Sequence, residues 1–413
     1  MRSGLHVWVL ALLGGLASIG APAADDGALT PHGLLETRQA WLSSGGEHAL
    51  AEYRAELEAV WRPGPGSTVR ARFSATSTDL VDVRQTNRLT VEELLIVAPA
   101  RDCLFKAGVQ TVAWGQADRI QVVDVVHPLD LTEWYFANWE RKRLPLGMLN
   151  LDCSFADNGL QLLVIPQTRF NRRPSSLGRF AVPQAENALA AVGVPLSHGS
   201  DPSAMRVKDW SYGAQWSGRL GSFDYALYGH RGWETDRVVR QDGDGTFSLA
   251  PDRTSMVGAS FSVPAGSLVF RGEAALRRDV TYYPDDTGGM PVATQADERA
   301  VLLAVDYIAA PWFVSTQYFG ARAVRMVDGT LGRDQRVWTI AVRRSALQNR
   351  LTLGFYAAKE RNGPSHFLSI EAEYEIDPHW LLRLTSERYG GEEGGIGRFK
   401  GESRYMAQLR YAF

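Results

Sequence analysis

The sequence predicts an all-β chain, a transmembrane antiparallel β-barrel of about 18 strands with short helices in long extracellular loops. Three observations predict it. Apolar and polar residues alternate with period two through most of the chain. The links between the alternating segments are alternately short and long. The last segment is itself an alternating strand that ends in an aromatic residue, Phe413.

Taken in chain order, the N-terminus comes first. Arg2 is followed by the apolar stretch Val7–Ser18, which is too short to span a bilayer comfortably, and then by the small-x-small element Ala21-Pro22-Ala23. Residues 1–23 are therefore expected to be a signal peptide, and residues 24–413 the barrel. No later run of 18 apolar residues exists, so any crossing of a membrane falls to strands. The expected compartment is the bacterial outer membrane.

A first strand is expected near Gly33–Trp41, with a short link at 43–48. In the next, Tyr53, Ala55, Leu57, Ala59 and Trp61 share one face, while Glu52, Arg54, Glu56 and Glu58 share the other. Leu268, Phe270, Ala274 and Leu276 oppose Arg271, Glu273 and Arg277 in the same way. Leu368, Ile370, Ala372 and Tyr374 oppose Ser369, Glu371 and Glu373, and Leu382 and Leu384 oppose Arg383, Thr385 and Glu387.

A soluble sandwich also alternates, so the links decide. Short turns are expected at 62–66, 99–102, 157–159, 217–220, 264–266, 309–311, 345–348 and 377–379. Longer polar links are expected at 77–88, 112–146, 167–208, 231–252, 279–296, 322–334, 360–365 and 390–402. Short periplasmic turns alternating with long outer loops mark an outer-membrane barrel, whereas a sandwich has no reason to sort its loops by strand parity. Trp61, Trp210, Trp216, Trp312, Trp338 and Trp380 are expected near strand ends, as an interfacial girdle.

The final strand puts Tyr405, Leu409, Tyr411 and Phe413 opposite Arg404, Gln408 and Arg410. A terminal Phe on such a strand is expected to be read by the barrel-assembly machinery. Outer-membrane lipids are the other expected partner, with an inner-membrane transporter complex as a further candidate.

Composition removes several function classes. With 44 basic against 46 acidic residues the net charge is -2, no basis for binding nucleic acid. Two cysteines rule out a disulfide-stapled scaffold and a multi-cysteine zinc domain. No Gly-x-Ser-x-Gly, His-x-x-x-His or Cys-x-x-Cys element occurs, and Asp242-Gly243-Asp244-Gly245 departs from a calcium loop at Phe247 and Arg253. No cofactor, metal or catalytic residue is expected.

The stretch from Val109 to Leu149 carries three elements: Trp114-Gly115-Gln116-Ala117-Asp118, Val126-His127-Pro128-Leu129-Asp130 and Arg143-Leu144-Pro145-Leu146. It resembles a proteobacterial family of predicted outer-membrane barrels, poorly characterised and related in architecture to alginate-export-type porins. His127 departs from the Asn found at that position in the family. The resemblance implies a barrel with a transport-related role and leaves the substrate open.

The inward arginines Arg54, Arg70, Arg72, Arg271, Arg277, Arg343, Arg383, Arg404 and Arg410 are matched by Glu52, Glu56, Glu58, Glu273, Glu371, Glu373 and Glu387. Such a ladder is expected to stabilise a solvated lumen by cross-strand pairing, since a filter needs one sign concentrated at a constriction. A mild arginine excess in the C-terminal half would favour anions.

The loop 112–146 is too long for a mere connection and is rich in aromatics, including Trp114, Trp134, Tyr135, Phe136 and Trp139. It is expected either to fold into the pore, with a short helix over 131–143 ending in Arg141, Lys142 and Arg143, or to pack on the outer rim. Trp114 and Asp118 are its candidate anchors, to a lumenal Glu and a lumenal Arg respectively; Gly115, Pro128 and Asp130 complete the candidate set. A helix is also expected over 183–192 in the loop 167–208. Cys103 and Cys153 flank the first loop on neighbouring strands, where either a disulfide or two lipid-facing thiols would fit. The leading expectation is an outer-membrane channel or export porin, not an enzyme. A plugged accessory barrel that docks to an envelope complex is the alternative, and an outer-membrane lipase the more remote one.

Overall fold

The computed structural model describes residues 29–64, 66–80, 83–133, 139–175, 178–182, 189, 193–242, 246–282, 293–325, 331–361, 363–392 and 395–413. The expected leader 1–23, the aromatics Trp134, Tyr135 and Phe136, and the 183–192 helix apart from Leu189 lie outside them. So do Gly243–Gly245 and Gly394.

Eighteen described strands form one closed antiparallel barrel. They are β1 Leu29–Leu42, β2 His48–Gly64, β3 Ser67–Leu80, β4 Val83–Ala100, β5 Cys103–Gln110 and β6 Leu146–Phe155. Then come β7 Asn158–Ile165, β8 Ser211–Leu220, β9 Phe223–Trp233, β10 Arg253–Ala265, β11 Leu268–Tyr282 and β12 Thr294–Ala309. The last six are β13 Trp312–Arg325, β14 Leu331–Ala346, β15 Leu351–Glu360, β16 His366–Glu375, β17 Trp380–Gly390 and β18 Arg404–Ala412. Each pairs with its neighbours in sequence, and β18 returns to β1 in register from Leu34↔Ala412 to Leu42↔Arg404. Closure leaves no free sheet edge, the condition for strands to cross an apolar phase.

The alternation has the expected sense. On the outer surface Leu227, Val257, Leu303, Ile370 and Leu384 are each at least half exposed. Exposed side chains of this kind around a closed sheet make a continuous apolar belt, which a lipid phase accommodates and water does not. Trp61, Trp312 and Trp380 lie at or near strand ends and Trp210 just before β8, but Trp216 and Trp338 sit in mid-strand.

Eight short turns lie at one end of the barrel, seven of them at or overlapping the expected positions; the turn expected at 217–220 falls instead at 221–222, because Ser217–Leu220 completes β8 in register with β9. The long links need two corrections. Most of 77–88 and of 322–334 is strand, because β3, β4, β13 and β14 run on past the apolar belt. Beyond it neither face must be apolar, so the period-two signal fades there while the ladder continues. At the long-link end a small sheet pairs Val238–Gln241 with Phe247–Ala250, and Leu196–His198 joins it in parallel. Leu189 is fully buried among Val238, Val239 and Phe247 of this cap.

The core sits inside the barrel. Val112, Trp114, Ile120, Val122, Val123 and Val126 pack with the inward Leu146, Met148, Leu163, Ile165, Tyr228 and Met256 in one buried cluster. The expectation of a solvated lumen is thereby corrected in part: where the wall meets the segment between β5 and β6, its inward residues are apolar and buried.

Candidate functional site

The segment 111–145, between β5 and β6, turns inward and crosses the lumen. Its first turn is set by Trp114-Gly115-Gln116-Ala117-Asp118. The Trp114 indole N–H donates to Gln161 Oε1 of β7 at 2.9 Å, and the ring is buried against Tyr228 with centroids 5.4 Å apart. Gly213 of β8 leaves the space this ring fills, since a Cβ there would lie 2.9 Å from Trp114 Cη2. The anchor for Trp114 is thus an amide on the facing wall, not the lumenal Glu expected; an indole donor is satisfied by either oxygen.

Glu273 of β11 takes a different role from an ion-pair partner. Its carboxylate accepts from the backbone N–H groups of Gln116, of Ala117 at 2.7 Å and of Val123 at 3.4 Å. One buried carboxylate thereby satisfies three donors of a turn that has no secondary structure to satisfy them. Gly115, with φ +81°, lies directly against it: a Cβ would come within 2.5 Å of Glu273 Oε1. A short fold stripped of side-chain bulk is what the carboxylate requires.

Asp118 meets its expected arginine. Its carboxylate accepts from Arg271 of β11 at 3.0 Å, and Arg271 also binds Asp306 of β12 at 2.6 Å and the carbonyl of Gln116. The next residue, Arg119, lies on the far wall with its guanidinium 4.4 Å from the centroid of the Tyr356 ring of β15.

The middle of the segment is held by the residue that departs from the family pattern. His127 is buried; its Nε2 accepts from the Val112 N–H at 2.9 Å and its Nδ1–H donates to the Leu144 carbonyl at 2.9 Å. Burial pushes its pKa down to about 4, with nearby Arg143 and Arg169 adding to the depression, so the ring is neutral at pH 7. Pro128 contributes its carbonyl to the Leu144 N–H at 2.8 Å. Asp130 accepts from the Thr132 N–H and hydroxyl and pairs with Arg172 of the next long link.

The returning half closes on the seam of the barrel. Glu133 pairs with Arg38 of β1, and with Arg404 of β18 at 3.0 Å; Arg404 in turn holds Glu387 of β17 at 2.9 Å. Burial pushes the Glu133 carboxyl up, but the two guanidiniums outweigh it and hold its pKa near 2. Arg141 reaches Glu36 at 2.8 Å and Arg143 reaches Asp124 at 2.5 Å. Lys142 is buried, which lowers its pKa to about 7 despite nearby Glu133 and Asp130. The helix expected over 131–143 reduces, among the described residues, to a three-residue 3-10 turn, Trp139–Arg141. Arg141 and Arg143 are tied to carboxylates, not to a helix end.

The two ends of the crossing are thus fixed on β11 and on the β17–β18–β1 seam. Between them an open cavity of about 120 Å³ remains against β13–β16. Asp118, Arg119 and Trp139 face it from the segment, and Phe313, Arg343, Tyr356 and Glu371 from the wall. Of the expected site residues, Trp114, Gly115, Asp118, Arg271 and Glu273 come together at the first anchor. Arg404 belongs to the second, and Arg343 to the cavity. Arg383 stands beside it, paired with Glu373 at 2.5 Å and Glu371 at 3.8 Å. Pro128 and Asp130 lie on the crossing itself. Glu133, Arg119 and Arg38 are not among the residues the sequence points to, because their partners are remote in sequence.

On the outward face, Cys103 and Cys153 form a disulfide across the first pair of the β5–β6 register. It ties the two strands from which the segment departs.

A family model described as "Protein of unknown function (DUF1302)" matches residues 101–354. No curated protein matches the chain. Among solved structures, Pseudomonas aeruginosa OccK2 (OpdF) is similar at 10% identity, covering 94% of this chain and 97% of that one with a TM-score of 0.54. Pseudomonas aeruginosa OccK5 (OpdH) is similar at 10% identity, with the same coverage and a TM-score of 0.53. Salmonella typhi OmpF follows at 10% identity, 94% and 98% coverage and a TM-score of 0.48. The structural neighbours are outer-membrane porins and channels, and the likeness is one of fold.

Proposed function

Starting from the fact that the chain belongs to the DUF1302 family, we propose that it is an outer-membrane channel whose lumen is narrowed by residues 112–146, and that it works passively, without catalysis. One observation carries this reading. The segment is anchored on opposite sides of the barrel and leaves an open cavity against β13–β16, so the route through the lumen is narrowed and shifted to one wall. The fold shared with outer-membrane porins and channels supports the location, as does the apolar belt. In this reading the short-turn end faces the periplasm, residues 1–23 direct export, lipids surround the belt and the β18 end is read by the assembly machinery. An inner-membrane transporter is the partner this arrangement would serve. The suggested relation to alginate-export-type porins would imply a polymer path, which the crossing segment would have to clear.

The second reading, a plugged accessory barrel, is favoured by the dry apolar packing between the segment and β6–β9. Planar-bilayer recording of the detergent-extracted protein separates the two. A channel gives unitary currents, and replacing 112–145 by a short Gly-Ser link in a heat-modifiable, folded variant raises them. Equal currents in both proteins would reject the constriction, and silence of the intact protein would favour the plug.

A further inference from the structure

We propose that the outward face of β11–β15, at the long-link border of the apolar belt, binds the phosphorylated headgroups of outer-leaflet lipids; the inference rests on the outer-membrane placement given above and not on conduction. The intervals Leu268 to Arg278, Ala309 to Arg299, Trp312 to Arg322, Ala346 to Arg336 and Leu351 to Arg361 are each ten residues, counted from the short-turn end of five consecutive strands. Arg361 stands just past the end of β15 and donates its backbone N–H to the Arg336 carbonyl at 2.8 Å. Ten residues rise about 33 Å along a strand and about 25 Å along the axis of a tilted barrel, the height of an apolar band. The five arginines therefore stand level at the upper border of the belt, where headgroups begin.

The register puts them on the outside. Arg299 pairs with Leu276, and Leu276 with the exposed Val257; Arg336 pairs with Gly320, and Gly320 with the exposed Val301. Arg299 and Arg322 are direct cross-strand partners, and both are exposed. Like charges set opposite one another weaken a sheet unless a negative group lies between them. Among the described residues neither of them, nor Arg278, has an acid within ion-pair distance, whereas Arg336 holds Asp334 at 3.2 Å.

The charges on this border do not cancel. The five arginines are joined by Lys359, exposed and paired with the outward Trp338, while the described acids beside them are Asp279, Asp297 and Asp334. Glu298 and Glu360 lie on the inward face, one paired with Arg277 and the other accepting from the Ile396 N–H. The excess is confined to one side of the barrel: at the same height β3 presents Ser77, whose neighbours in register are Tyr53 and Asn87. A guanidinium fork matches a phosphate in two parallel hydrogen bonds, and two forks face to face suit a headgroup of more than one negative charge.

The surface beneath accommodates a chain. Below Arg322, a Cβ added at Gly320 would meet nothing closer than the Tyr318 ring at 3.5 Å, so the wall is indented there. Tyr318 packs on Trp338 with ring centroids 4.8 Å apart, which gives the mid-strand Trp338 a place as the floor of this indentation. Phosphate above and an acyl chain below describe a lipid, not a free anion.

The test uses the full-length barrel, delipidated in detergent, with bound lipid counted by native mass spectrometry. The probes are lipid A bearing two phosphates, its monophosphoryl form and phosphatidylcholine. Wild type should bind the bisphosphorylated lipid about tenfold more tightly than phosphatidylcholine, with the monophosphoryl form between them. Arg299→Gln/Arg322→Gln should remove most of that preference, and Arg299→Lys/Arg322→Lys, which keeps the charge without the fork, should lose less. Arg62→Gln, at an exposed cation of the short-turn end, should change nothing. If the glutamine pair lacks the heat-modifiable gel shift of a folded barrel, Arg278→Gln/Arg361→Gln puts the same question. Equal binding of bisphosphorylated lipid and phosphatidylcholine, or equal binding by wild type and a folded glutamine variant, would overturn the assignment. So would displacement of the lipid by inorganic phosphate at matched concentration, the mark of a bare anion site. Either result beside intact unitary currents leaves the channel standing, and a silent barrel that keeps the lipid preference overturns the channel and upholds this site.

Discussion

Arg404, at the start of the last strand, meets Glu133 of the lumenal segment at 3.0 Å, with both side chains almost entirely shielded from solvent. The same carboxylate holds Arg38 of the first strand. The seam that closes the barrel and the segment that crosses it thus share one charge.

Replacing Glu133 by Ala should leave two buried guanidiniums short of a counter-charge, Arg404 keeping only Glu387. Breaking a buried pair from one side costs about 3–5 kcal/mol. The expected outcome is a lower temperature for the heat-modified gel shift and noisier unitary currents, with assembly retained. An unchanged transition would show that the seam does not depend on the segment.

Gly115→Ala introduces a Cβ where Glu273 Oε1 lies within 2.5 Å and where φ is +81°. A strained left-handed residue costs about 1–3 kcal/mol, before any displacement of the carboxylate. Proteolysis of intact outer membranes or proteoliposomes should cut the 112–146 segment faster in this variant than in wild type. Equal protection would refute the role assigned to Glu273.

His127 makes the docking of the segment sensitive to acid. Its folded pKa of about 4 lies below the ordinary 6.5, so the folded form resists protonation that the released form accepts. Stability is fully present above pH 6.5, falls as the pH drops towards 4, and levels off below it; the loss is of order 3 kcal/mol. Current noise or protease sensitivity should rise between pH 7 and pH 4.5. In His127→Asn, where an amide can accept and donate without titrating, that rise should shrink. Identical pH profiles would remove His127 from the account.

The Cys103–Cys153 bond closes a separation of 50 residues that contains the whole segment. In the chain-entropy picture, such a closure is worth at most about 4 kcal/mol. Cys103→Ser/Cys153→Ser should therefore assemble but unfold at a lower temperature, and reductant should shift wild type towards the variant. A variant as stable as oxidised wild type would make the bond incidental.

Much of the barrel was legible because its signal is local. Leu57 and Glu58 reveal opposite faces by adjacency alone, and Pro99–Asp102 marks a turn within four residues. Asp118 was legible as a partner for a lumenal arginine because carboxylates and arginines were the chief polar groups predicted to face inward. The Trp114 partner was misjudged for the same reason: Gln161, uncharged, carried no signal. Glu133 could not be singled out, since its arginines lie 95 and 271 positions away. Nor could Arg119, whose lack of a carboxylate partner appears only when the walls are in place.

Gly33 and Phe413 exchange backbone hydrogen bonds of 2.8 and 3.0 Å, and the Phe413 ring occupies the space a side chain at Gly33 would need. The consequence is one of timing. Phe413 must find a partner far back in the sequence, so the cylinder has no finished partial form. Every strand must already be in place, with the β1 edge kept open meanwhile, before Phe413 can seal it.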